Sequence, residues 1–350
     1  MSQQGSMPGF SVISGAQVDE VLRGQEKRVI DLVRQAYRAH GEGATTNPAS
    51  YFLTFPDRPR ARIIALPASI GGENEDARVD GLKWISSFPA NIDSGLPRAS
   101  GVLILNDPGT GYPYACLETS IISACRTAAS AALAAGLLSQ GRPALADRSA
   151  ARIGFVGTGL IARHIAGHLA ATGWSFARTG VYDLDRSYAE RFAAGLDGDV
   201  TVHDSAEELI RSSDLIVFAT VAAAPHITDP AWFAHHPLVL HISLRDLAPE
   251  VVLASANVVD DVDHCLRAGT SLHLTEQRTG DRAFVDGTLY DVMAGRLRPS
   301  AGRTLVFSPF GLGILDLAVG KHVHDEVRRA GALAVVDGFF HELDRHRRPA

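Results

Sequence analysis

Cysteine is scarce. The 350 residues hold three, Cys116, Cys125 and Cys265, with no CxxC spacing among them. A disulfide scaffold and a cysteine-rich zinc site are both excluded. The histidine pairs His235–His236 and His322/His324 lack the i, i+4 spacing of a helical zinc site, so no metal centre is expected. Long apolar runs are missing too. The longest, Ala128 to Leu138, is alanine-rich and too short to span a bilayer. No basic stretch followed by an apolar one precedes Ile30. Nor is there a cationic excess, with 33 Lys and Arg against 39 Asp and Glu, a net charge of −6. That balance offers no general attraction to nucleic acid or to an anionic membrane. The expectation is a soluble, cytoplasmic protein whose anionic ligands are held by a few local cations.

What is present is ordinary globular material, 46% hydrophobic and 21% charged, enough for two cores in a chain of this length. Residues 1–10 read as a flexible leader. Ser14 and Gln17 then stand in capping-box spacing, and a helical period runs from Val18 to Tyr37 with a gap near Gly24. Between 51 and 118 the texture is that of strands (ARIIALP, GLKWIS, GVLILND, YPYACLE) broken by turns rich in Pro, Gly, Asn and Asp. The helical stretch TSIISACRTAASAALAAGLL leads out of them. From 151 six short apolar runs alternate with helical segments: ARIGFVG, GVYDL, VTVHD, DLIVFAT, LVLHIS and NVVDDV. Such runs predict a parallel sheet buried on both faces, of the doubly wound Rossmann kind. After about 305, TLVFSPFGLGILDLAVG opens a helical tail expected to reach His341 and to return to the first domain.

The segment ARIGFVGTGLIARHIAGHL carries Gly157, Gly159 and Ala162 in G-x-G-x-x-A spacing, directly after an apolar strand and opening a helix. The first glycine permits a tight turn, the second lets backbone approach a pyrophosphate, and the third position must be small. Asp183 ends the next strand, 24 residues after Gly159, where a carboxylate accepts from ribose hydroxyls. The turn Gly157, Thr158, Gly159, Leu160 and Ile161 is therefore read as dinucleotide-binding. Asp183 would repel a 2′-phosphate, which favours NAD over NADP. Arg186 nearby reads either as a phosphate partner or as an exposed cation at a helix start.

Four cations in the strand region are candidates for an amino-acid carboxylate: Arg62, Lys83, Arg98 and Arg126. Arg62 and Arg98 read equally well as solvated surface charges. Lys83 and Arg126 sit among apolar neighbours, where a charge is costly unless it is paired or faces a cleft. Asp246 follows the strand LVLHIS, where the carboxyl ends of strands meet the ligand crevice. It can exchange a proton with an amine or water, or it can be a capping residue before Pro249. Glu118 reads as a candidate capping carboxylate.

With these residues in place, the chain resembles the ornithine cyclodeaminase/μ-crystallin family over nearly its full length. The resemblance lies in RIIALP, GLKWIS, TGYPYACLE, SIISACRTAA, GTGLIA, VFATV, HISLRD and FSPFGLGILDL. It implies a Rossmann domain over 127–305 and an α/β substrate-binding and dimerisation domain over 1–126 and 306–350, paired as a homodimer. It further implies that Arg62, Lys83 and Arg126 hold the substrate carboxylate, with Phe310 and Gly311 beside it. Asp246 becomes the acid/base; our reading adds Lys83 as a second catalytic residue, with either of the two open as the group that activates the water. Arg98, Arg126, Thr127, Thr220 and Ser243 join the turn and Asp183 around NAD. RASGVLILNDPGTGYP is most similar to the branch that oxidises N-(2-amino-2-carboxyethyl)-L-glutamate to 2,3-diaminopropionate for siderophore or antibiotic synthesis. The short stretch Asp246-Leu-Ala-Pro-Glu250 lacks the lysine of true cyclodeaminases, which argues against cyclisation of ornithine. A cyclodeaminase, a ketimine reductase and a nucleotide-bound protein without turnover stand as the alternatives.

Overall fold

A computed structural model describes residues 8–72 and 75–341, in two compact units. The first takes in the described residues up to Gly24, Gly43–Ser123 and those from Gly313 onward; the second is Gln25–Glu42 with Ala124–Leu312. Of the expected leader only residues 8–10 are described, and Phe10 is already buried, stacked on Phe339 at 3.9 Å. Strand β1 (Ser11–Ile13) precedes α1 (Gly15–Leu22), where Ser14 and Gln17 form the anticipated capping box. The next helix, α2 (Glu26–Gly41), departs from the sequence expectation by joining the second unit. Its buried face, Val29, Ile30, Val33, Ala36 and Tyr37, explains this, since the Tyr37 hydroxyl lies 2.8 Å from Ser130 Oγ in that unit. Then come β2 (Thr45–Thr46), β3 (Tyr51–Phe55), β4 (Arg58–Ile70), β5 (Val79–Ser87), β6 (Ala99–Asn106), β7 (Pro113–Glu118) and α3 (Ser120–Leu138). By length and composition α3 is apolar enough to cross a bilayer, but 72% of its most apolar window is buried, as befits a core helix.

The second unit continues with β8 (Arg152–Val156), α4 (Leu160–Ala171), β9 (Arg178–Tyr182), α5 (Arg186–Ala193), β10 (Val200–Val202) and α6 (Ala206–Ser212). After these come β11 (Leu215–Phe218), β12 (Leu238–His241), α7 (Pro249–Ala254), β13 (Ala256–Val259), α8 (Val262–Cys265) and α9 (Ser271–Thr279). It closes with β14 (Gly287–Thr288), α10 (Leu289–Met293) and β15 (Leu305–Ser308). Its sheet is parallel throughout, in the order β10-β9-β8-β11-β12-β15-β13-β14. Strands β11, β12, β13 and β15 are buried at every position, which is why they read as unbroken apolar runs. The first five strands keep the doubly wound order, with its reversal between β8 and β11. The run TLVFS does not open the tail. It is β15, slotted between β12 and β13, because a short apolar run does not reveal its own partner strands.

The chain returns to the first unit as α11 (Gly313–Arg329) and β16 (Ala334–Val335). The helix thus ends at Arg329 instead of His341, near Gly331 at φ +67°, and β16 pairs antiparallel with β1. That sheet runs β16-β1-β7-β6-β5-β4-β2, with β3 also on β4. Helix α11 packs on one face, and an added Cβ at Gly320 would stand 2.1 Å from Leu103. Strand alternation and register put Arg62, Lys83 and Ser87 on this helix-covered face.

Candidate active site

In the second unit the carboxyl end of β8 runs into the glycine turn. Gly157 has φ +85°, and a Cβ there would lie 2.8 Å from the Ala219 carbonyl, so only glycine fits where the loops after β8 and β11 meet. Gly159 caps α4 without any side-chain hydrogen bond, and a Cβ on it would meet nothing within 4 Å. The start of α4 therefore carries no capping side chain to compete with an anion for its N–H groups. Ala162 is fully buried. Thr158 donates to Asp183 Oδ2 from its backbone N and its Oγ1, both at 2.9 Å. These bonds clamp the Asp183 carboxylate against the turn, with its Oδ1 accepting from Asp185 N at 3.2 Å. Arg186 is bound to Asp204 and to Glu190 on the surface, which answers its sequence ambiguity in favour of an exposed cation. Leu160 is exposed and Ile161 partly buried at the start of α4. The turn, its uncapped helix and the clamped carboxylate fit a dinucleotide.

At the carboxyl end of β12, Leu244 adopts φ +68°, a strained value for a branched side chain. Two residues further on, Asp246 is fully buried, with 0% exposure. Thr220 and Ser243 donate their hydroxyls to it, and His226 Nε2 lies 3.0 Å from Oδ1. His241 Nε2 stands 3.2 Å from Asp246 N and 3.3 Å from Oδ2. One nitrogen cannot serve both at once: without a hydrogen Nε2 accepts from Asp246 N, and with one it donates to Oδ2. Burial pushes the Asp246 carboxyl up, but the hydrogen bonds from His226, His241 and Ser243 outweigh it and hold it well below the ordinary carboxylate range. Asp246 caps no helix, since the residue ahead of α7 is Ala248, without a side-chain bond. Glu118, by contrast, does cap: it accepts from Ser120 N at 2.6 Å and Ile121 N at 3.2 Å.

Arg126 and Thr127 lie on α3, Arg126 buried and Thr127 partly so. Gly311 has φ +90°, and a Cβ there would stand 2.4 Å from Arg126 Nη1. Asp260 fixes that loop, accepting from Phe310 N and Gly311 N at 2.8 Å each. Its burial raises its pKa against these bonds.

In the first unit Lys83 is 2% exposed and donates to Asp316 Oδ2 of α11 at 2.6 Å, with Ser123 Oγ at 3.4 Å. Arg62 pairs in register with Ser87, whose Oγ accepts from Arg98 Nη1 at 2.8 Å. Burial lowers the pKa of both guanidiniums, and for Arg98 the charge of Arg62 adds to this. Among the described residues neither has a carboxylate partner. Sequence reasoning missed His226, His241, Asp260 and Asp316. Asp316 alone carried a signal, an acid inside an apolar helix matching Lys83 inside an apolar strand.

Fold and site together define a doubly wound dinucleotide-type protein with a second, cation-lined α/β unit. The chain belongs to the ornithine cyclodeaminase/mu-crystallin family, whose profile matches residues 12–331. It is 27% identical over 313 residues to the N-((2S)-2-amino-2-carboxyethyl)-L-glutamate dehydrogenase of Staphylococcus aureus, covering 86% of this chain and 90% of that one. It is also 27% identical to the ketimine reductase mu-crystallin of Mus musculus, over 69% of this chain and 74% of that one. The crystal structure of CmnK is 31% identical, with a TM-score of 0.83 over 95% of this chain and 99% of that one.

Proposed function

We propose that this protein is an NAD-dependent oxidoreductase acting on a CH–NH bond, with N-(2-amino-2-carboxyethyl)-L-glutamate as its substrate. Water completes the reaction, giving 2-oxoglutarate and L-2,3-diaminopropionate. The observation that carries the reading is the Arg62–Arg98 pair. Two neighbouring, half-buried guanidiniums with no carboxylate partner among the described residues, in a chain of net charge −6, suit an anionic ligand. A substrate with three carboxylates supplies it at Arg62 and the cofactor's phosphates supply it at Arg98, and likeness to the staphylococcal dehydrogenase over most of both chains supports that substrate.

When bound at the Gly157–Ile161 turn, NAD supplies the acceptor for the hydride of the glutamate Cα. Asp183 accepts from the ribose hydroxyls and repels a 2′-phosphate. Arg62, Lys83 and Arg126 hold carboxylate, with Phe310 and Gly311 lining the substrate. Arg98, Thr127, Thr220 and Ser243 serve the cofactor side. Asp246 takes the amine proton as the C=N bond forms. Lys83, which donates to Asp316, polarises that bond toward water. In this reading the nucleotide domain interrupts a substrate domain that also forms a homodimer.

The test is incubation of purified protein with NAD and, in turn, this substrate and ornithine, and separately with NADH and a cyclic imine, followed by NADH absorbance and mass spectrometry. Net NADH with both named products is expected. Proline from ornithine without net NADH would make it a cyclodeaminase, and NADH consumption on cyclic imines a ketimine reductase. Nucleotide binding without any turnover would leave a binding protein.

A further inference from the structure

Oxidation and hydrolysis of a secondary amine release one proton per turnover. The Cα–H bond pair leaves as hydride to NAD, the N–H bond pair becomes the second bond of C=N, and its proton goes to a base. Water then adds to the carbon, its oxygen becomes the new carbonyl as the C–N bond breaks, and both of its protons end on the departing amine, so the amine proton taken by the base is the one released. On the reading above that base is Asp246, yet its carboxylate has no exposed surface and is surrounded by Thr220, Ser243, His226 and His241, so the amine proton both reaches it and leaves it through those neighbours. A proton delivered there needs a way out.

The four neighbours are unequal. The hydroxyls of Thr220 and Ser243 both point their hydrogens at Asp246. His241 is completely buried, and its other nitrogen meets Ser308 Oγ at 3.1 Å. His226 alone has a side chain 41% exposed while its Nε2 stays 3.0 Å from Oδ1. Its position is fixed twice over, because His226 N also donates to the Asp246 carbonyl at 2.9 Å. Imidazole is the side chain that takes a proton on one nitrogen and gives one from the other near neutral pH.

We propose that His226 is the relay residue that carries the proton between buried Asp246 and solvent. The inference rests on Asp246 being the acid/base, so the variants must separate the two ideas. His226→Gln keeps a donor toward Oδ1 and carries no proton; His226→Ala opens space for added imidazole. Both should bind NAD with unchanged affinity and keep KM within about threefold, with kcat reduced about 10²-fold, the lower end of positioned acid/base effects. Imidazole should restore kcat to the alanine variant in a concentration-dependent way. A glutamine variant with native kcat, or an alanine variant deaf to imidazole, overturns the relay. If Asp246→Asn retains native kcat, the reading of Asp246 fails instead, whatever the His226 variants do.

Discussion

A carboxylate without solvent keeps its charge only where enough donors face it, and Asp246 has such a set. Asp246→Asn keeps its shape but loses the charge and the proton site. Turnover should fall about 10²–10⁴-fold while NAD affinity, measured by fluorescence titration, stays unchanged because the turn and Asp183 are untouched. Near-native turnover would move the acid/base elsewhere. Asp183 is the opposite case, partly exposed and clamped by Thr158. Asp183→Ser should narrow the preference for NAD over NADP, and equal affinity of the native protein for both would contradict that role. Lys83 and Asp316 form a buried pair, so removing one partner strands the other. Asp316→Ala should cost about 3–5 kcal/mol in urea unfolding. The double variant Lys83→Met/Asp316→Leu should recover most of that stability and none of the activity. If the double variant turned over normally, the ammonium would have no part in the reaction.

At the scale of elements, α11 joins structure to chemistry: its first turns bring Asp316 to Lys83, and its last turns carry a charge cluster. Asp325 there accepts from Lys321 at 2.7 Å, with His324 and Arg328 each at 3.4 Å. Burial raises the Asp325 pKa, but these cations and hydrogen bonds overcome it and bring it down to about 2. A lowered folded pKa stabilises above the unfolded value near 3.9 and is lost as pH falls through the folded one. The melting temperature of Asp325→Asn should therefore lie below native at pH 6, with the gap closing between about pH 4 and pH 2. A gap independent of pH would rule out the charge as its cause. The same helix marks the limit of sequence reading. The strand-turn-helix at Gly157–Ala162 was legible because its glycines answer to local backbone demands, and β11, β12 and β13 because both faces are buried. The end of α11, the place of β15 and the attachment of α2 depend on partners distant in sequence, which periodicity does not encode. Asp246 was legible as the acid following β12. Its escort of His226 and His241 was not, because His226 comes from the loop after β11, 20 residues earlier in the chain, and periodicity does not encode which loops meet.

At the scale of the whole molecule, the first unit's sheet has α11 on one face only. By register, the other face carries Val12, Leu53, Tyr51, Trp84 and Val102, all exposed. Strand β3 adds an edge bonded to β4 alone among the described strands. An apolar face of this kind with an open edge marks an association surface more often than a solvated one. A second copy of the chain is the partner that the proposed homodimer supplies. An isologous contact would set each Trp84 and Val102 in a self-complementary patch, so one substitution alters both sides of the interface. Light scattering at micromolar concentration should give twice the 37.3 kDa of the chain. Trp84→Glu with Val102→Glu places a carboxylate on each of two register partners, doubled by symmetry, and should shift the protein to monomer. Far-UV circular dichroism should stay native, because neither side chain belongs to the face under α11. A native protein that scatters as a monomer at that concentration would remove the dimer, and with it the reason for this face to be apolar.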